Sequence, residues 1–135
     1  MKVKTPSKLE KILAAGHLAV TSECGPPRGS DMEVIVEKAN LIKDHVDAIN
    51  ITDNQTSVTR MCSLAACIRL KLLGLDPVLQ MVTRDRNRIA LQSDLEGRIM
   101  PKIGRVIAVL IPGRNHHHPE PDDVFQAVPH LPWIA

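Results

Sequence analysis

Two hydrophobic periods alternate along residues 1–97. Ser7-Lys8-Leu9-Glu10 has the form of a capping box and Gly16 is a good helix stop, which predicts a helix over about Lys8–Ala15. His17–Ser22 is a short β-prone run ending at Glu23, and Cys24-Gly-Pro-Pro-Arg-Gly29 is a loop by composition. Ser30-Asp-Met-Glu33 offers a second capping box. Beyond it Val34, Ile35, Lys38, Leu41, Ile42 and His45 recur at helical spacing, with Val34, Ile35, Leu41 and Ile42 as the apolar stripe. Val46–Thr52 reads as a second strand and Asp53-Asn-Gln55 as a polar turn. Thr56 or Ser57 can cap a helix running to about Leu73, where Gly74 ends it. Pro77–Thr83 is a third strand, Arg84–Asn87 a polar loop, and Arg88–Leu95 a helix stopped near Gly97. A further apolar run, Val106–Ile111, is a candidate fourth strand.

The order α-β-α-β-α-β-α predicts an α/β fold with parallel strands and right-handed crossovers. In such architectures chemistry gathers at the carboxyl ends of the strands. Glu23 ends the first predicted strand, Asp53-Asn54-Gln55 follow the second, and Thr83-Arg84-Asp85 follow the third.

Composition narrows the function classes. At 135 residues the chain is the size of one domain, and 44% hydrophobic with 24% charged residues is ordinary for a globular protein. No apolar run approaches the roughly 18 residues of a membrane helix. The start, MKVKTPSKLEK, lacks a signal-peptide core, so a cytoplasmic location and no membrane association are expected. A net charge of +2, with Phe125 and Trp133 as the only aromatics, disfavours a nucleic-acid partner. Cys24, Cys62 and Cys67 are odd in number and lack a Cys-x-x-Cys pair, so free thiols are expected rather than a disulfide framework or zinc site. Six of the ten prolines and four of the six histidines lie after Gly97. That makes residues 98–135 an atypical Pro/His-rich tail, in which His116-His117-His118 lack the fixed geometry of a metal site.

Four features could carry chemistry. A carboxyl group at the end of a buried strand has a raised proton affinity, which suits Glu23 to act as a general acid; the alternative is a loop cap or a pair with Arg28. Thr52-Asp53-Asn54-Gln55 can hold a polar ligand or form an Asx-turn and helix cap. Gln80, in an otherwise apolar strand, must bond either backbone or ligand. Arg84–Arg88, at a helix start, can bind phosphate or form local ion pairs.

Residues 17–97 resemble the methylenetetrahydrofolate reductases. Three segments carry the resemblance in order and at the right spacing: TSECGPPRGSD (21–31), VDAINITDNQ (46–55) and GLDPVLQMVTRDRNRIALQSDLEG (74–97). The resemblance implies the N-terminal portion of a (β/α)8 TIM barrel, about three to four βα units. It also implies FAD and flavin-dependent reduction of 5,10-methylenetetrahydrofolate to 5-methyltetrahydrofolate, with NADH, NADPH or another protein as electron donor. Glu23 matches the family's acid, which protonates the folate so that its imidazolidine ring opens to an iminium. Thr52, with Asp53 and Gln55, matches the strand end that contacts FAD, and Gln80 falls where the family has a residue beside the flavin.

The match departs from the family after Gly97. Members continue with a small-residue helix and a strand ending in Gly-Asp, whereas this chain reads GRIMPKIGRVIAVLIPGRNHHH, with Gly113 in the place of the Gly and Arg114 in that of the Asp. The abrupt change leads us to expect a truncated product, with residues 98–135 frameshifted or disordered. An open piece of a barrel exposes a strand edge and its inner face, so a marginal chain, a homo-oligomer or dependence on a partner subunit is expected. Two other classes stay open: a non-catalytic α/β fragment completed by a second chain, and a barrel enzyme for a phosphorylated small molecule.

Overall fold

A computed structural model of the chain describes residues 7–97 and the strand 107–111. The elements run α1 (Lys8–Ala14), β1 (Thr21–Cys24), α2 (Glu33–Ile42), β2 (Ala48–Ile51), a 3-10 turn (Gln55–Ser57), α3 (Ser63–Leu72), β3 (Pro77–Val82), α4 (Arg88–Gly97) and β4 (Ile107–Ile111). The strands form one sheet in the order β1-β2-β3-β4, every pair parallel. Parallel strands in chain order, each joined to the next through a helix, are the arrangement of the first units of a (β/α)8 barrel. The fold is therefore α/β and that of a partial TIM barrel.

Local chemistry accounts for most boundaries. Ser7 Oγ accepts from the Glu10 N–H at 3.2 Å, as the capping box requires. At the other end of α1, Gly16 adopts φ +77° while its N–H reaches Leu13 and the His17 N–H reaches Ile12, the paired bonds of a Schellman motif. Asn87 caps α4 through its Oδ1, 2.9 Å from the Ala90 N–H.

Three local expectations are corrected. The first strand begins at Thr21 rather than His17; Leu18 is 90% exposed, and the Val20 backbone is tied instead to Asp47. Glu23 thus lies within β1, one residue before its end. The second capping box does not close on Ser30: Asp31 Oδ1 accepts from the Glu33 N–H, and Leu41 points to solvent, leaving Ile35 and Ala39 as the buried positions of α2. Helix α3 starts at Ser63 rather than beside Thr56, because residues 58–62 are drawn toward the β1 loop. The Met61 N–H donates to Pro27 O and Arg60 Nη1 donates to Pro26 O. Cys62 Sγ then serves as the cap, accepting from the Ala65 N–H.

The core lies between the sheet and its helices. Cys24, Ile49, Ile51, Leu79 and Met81 face Ile35, Ala39, Ala66, Cys67, Leu70, Leu91 and Leu95. At roughly 1.5–3 kcal/mol per fully buried large apolar side chain, this layer is the main source of cohesion. One set of alternate strand residues is thereby committed to the helices. The other set, which includes Thr21, Glu23, Asn50 and Gln80, is turned to the opposite face, the side that lines the interior of a barrel.

The expectations for Phe125, Trp133, His116–His118, Gly113, Arg114 and a frameshifted or disordered tail lie outside the described residues. The anticipated fourth strand is present as the backbone of β4.

Candidate functional site

The register brings the predicted residues together. Glu23 pairs with Asn50, and Asn50 with Val78, so these three share one level of the inner face. Ile51 pairs with Leu79, which places Thr52 level with Gln80 one step nearer the carboxyl ends. Adjacent strands lie about 4.8 Å apart and two residues rise about 6.6 Å, so Glu23, Thr52 and Gln80 border an area about 10 Å across. That is the scale of a fused aromatic ring system.

Each member has a distinct environment. Glu23 is exposed, not enclosed by apolar neighbours as the sequence suggests, because β1 is the outermost strand of the sheet among the described residues. Its carboxylate accepts a hydrogen bond from Gln55 Nε2, and not from Arg28. Thr52 is only 3% exposed, and its Oγ1 is buried with no hydrogen-bond partner among the described residues. A buried hydroxyl without a partner costs about 1–3 kcal/mol, which makes Thr52 Oγ1 a candidate ligand contact. Gly25 packs closely here: a Cβ on it would lie 3.2 Å from Gln55 Oε1 and 3.4 Å from Thr52 Oγ1. The Gln80 carbonyl accepts from Ser63 Oγ at 2.7 Å, which fixes this part of β3 against α3.

Asp53 is placed differently. Its carboxylate is buried and accepts from the Val82 N–H at 3.1 Å, while Arg86 grips it through both Nη1 and Nη2. The side chain that the sequence offers as a cofactor contact is thus occupied as a clamp between the ends of β2 and β3. In return, Asp53 holds the Arg86 guanidinium proton more tightly than usual, against the opposing effect of burial. Arg84 is engaged by Asp85 at 2.8 and 2.7 Å, which raises its own proton affinity, and Arg86 also pairs with Asp94 at 3.6 Å. The local ion pairs, rather than an open phosphate clamp, describe this segment.

Two residues escaped the sequence reading. Asn50 lies beside Glu23 on the inner face and donates from Nδ2 to Thr21 Oγ1 at 3.4 Å. Its signal was present, a polar residue at an alternate position of the apolar run AINIT, the same signal that singled out Gln80. Gly25 could not be read so, since its close approach to Thr52 and Gln55 is made across two strand ends.

At the amino ends of the strands a cavity of about 130 Å³ is lined by Lys8, Lys43, Asp47, Ala48 and Asp76, among others. Its carboxylates are held by Lys8 at 3.0 Å and Lys71 at 2.5 Å, and it lies at the end of the sheet remote from Thr52. No helix among the described residues is long and apolar enough to cross a membrane.

The inner-face carboxyl, the orphaned hydroxyl and the strand amide fall on the motifs that suggested a reductase. No curated protein and no solved structure matches the chain. The family model for methylenetetrahydrofolate reductase matches residues 8–129, nearly the whole chain and past Gly97. The chain belongs to the methylenetetrahydrofolate reductase family, a family of folate-related oxidoreductases.

Proposed function

We propose that the chain carries the acid and part of the flavin site of a reductase that converts 5,10-methylenetetrahydrofolate to 5-methyltetrahydrofolate, with FAD as cofactor. The observation that carries this reading is the buried Thr52 Oγ1, without a hydrogen-bond partner among the described residues, on the same face as Glu23 and Gln80. These residues fit a flavin: Thr52 offers a hydroxyl and Gln80 an amide. Once bound and reduced by the electron donor, FAD would supply the hydride and return to its oxidised form; the protein orients the partners and provides one proton. Glu23 is the proton source, placed at the open side of the face where a pterin has access. Asp53 and Arg86 do not touch the reactants in this reading. They lock the β2 end to the β3 end, and so set the distance between Thr52 and Gln80.

The reading extends to a soluble cytoplasmic setting, to NADH, NADPH or a protein as electron donor, and to a partner subunit or a second copy against the open edge of β1. The alternative, a barrel enzyme for a phosphorylated molecule, is weakened by the carboxylates that engage Arg84 and Arg86.

Flavin absorbance of the purified protein and turnover of 5,10-methylenetetrahydrofolate test the proposal. Glu23→Gln is expected to lower the folate step by about 10²–10⁴-fold while leaving FAD binding in place. Full folate turnover in Glu23→Gln would remove Glu23 from its role.

A further inference from the structure

We propose that Gln55 is a positioning residue that fixes the Glu23 carboxyl group from across the β1–β2 strand ends, with Gly25 as the space it requires. The inference rests on the reading of Glu23 as the acid, and assigns Gln55 to the acid rather than to the cofactor.

Three observations carry it. Gln55 Nε2 donates to Glu23 Oε1. That bond leaves Oε2 as the carboxyl oxygen free to face a substrate. Gln55 Oε1 lies where a Cβ on Gly25 would approach to 3.2 Å, so the glycine leaves the amide room that any larger residue would take. The backbone around Gln55 is unusual: Asn54, Thr56 and Ser57 have φ of 42°, 57° and 58°, in the left-handed region that non-glycine residues rarely adopt. Such a conformation persists only where surrounding contacts enforce it. Here Asn54 Oδ1 accepts from the Arg60 N–H at 3.1 Å and Asn54 O accepts from Arg84 Nη2 at 3.3 Å. The turn is held from within its own loop by Arg60 and from the loop after β3 by Arg84, and the side chain it presents to β1 is Gln55.

A carboxyl group on the outermost described strand has no wall of its own to fix its rotamer. A side-chain amide supplied by the next strand end provides one. A glutamine itself neither gains nor loses a proton, so it sets the direction of the carboxyl group through a neutral hydrogen bond.

The test uses the full chain and two independent readouts. In ¹⁵N-edited NMR spectra, the Gln55 side-chain amide resonances are expected to move on Glu23→Gln, while those of Gln92 on α4 stay in place. In steady-state kinetics, Gln55→Leu is expected to lower kcat of the folate step by roughly 10–100-fold with KM changed far less, as for a misplaced catalytic group. Gly25→Ala, whose Cβ crowds Gln55, should lower kcat in the same direction. If Glu23→Gln abolishes turnover but Gln55→Leu retains full kcat, the positioning role is overturned and the acid stands. If Glu23→Gln itself turns over fully, the acid assignment fails instead. Gln55 resonances indifferent to Glu23→Gln would overturn the contact whatever the kinetics.

Discussion

Single side chains in this protein divide into those spent on the fold and those that the proposed function assigns to a ligand. Asp53 and Arg86 belong to the first kind. Asp53 has no exposed side-chain surface, and Arg86 little. Removing one partner of a buried pair strands the other charge, so Arg86→Ala should destabilise the chain by about 3–5 kcal/mol, read from denaturant midpoints. A loss below about 1 kcal/mol would show that the pair is not buried in solution. The cysteines make a second residue-scale case. Burial pushes the Cys24 and Cys67 thiols above their ordinary range, with Cys67 shifted further by the negative charge of its surroundings. A thiol whose proton is held more tightly when folded contributes stability that is complete below the unfolded pKa of about 8.5 and declines above it. Stability should therefore fall between pH 8 and pH 10, and Cys67→Ala should flatten that slope while lowering stability at pH 7. Thiol reagents should modify exposed Cys62 first, with Cys24 and Cys67 reacting only on unfolding.

At the scale of elements, the sequence was legible where one short motif decides the outcome. Ser7 and Gly16 set the ends of α1 by local hydrogen bonds, and that helix falls where the motifs put it. Ser7→Ala should cost about 1 kcal/mol through loss of the cap, measured by thermal melting. The starts of α3 and β1 were not legible, because their determinants are remote. Arg60 and Met61 are drawn to Pro26 and Pro27, which delays α3, and Asp47 captures the Val20 backbone, which shortens β1. Leu41 fits the helical spacing of α2 as well as Ile35 does; only the placement of the sheet separates the exposed residue from the buried one. The site followed the same division. Alternation within strands pointed to Gln80, while the choice of face for Asp53 depended on Arg86, thirty-three residues away.

At the scale of the whole molecule, β1, β2 and β3 present one face covered by helices and an opposite face that carries polar side chains. The covered face holds the apolar core, and the opposite face holds Glu23, Asn50, Thr52 and Gln80. The outer edge of β1 carries no strand among the described residues. Such an edge favours pairing with further strands, in keeping with a barrel that closes around its reactants. The proposed function reduces to one claim, that the carboxyl ends of β1, β2 and β3 form a single flavin-and-folate surface. A ¹H–¹⁵N NMR titration of the chain with FAD tests it most directly. The account predicts shifts concentrated at Gly25, Thr52 and Gln80, with Lys8, Asp47 and Asp76 at the amino ends unmoved; no shifts, or shifts gathered at the amino ends, would contradict it.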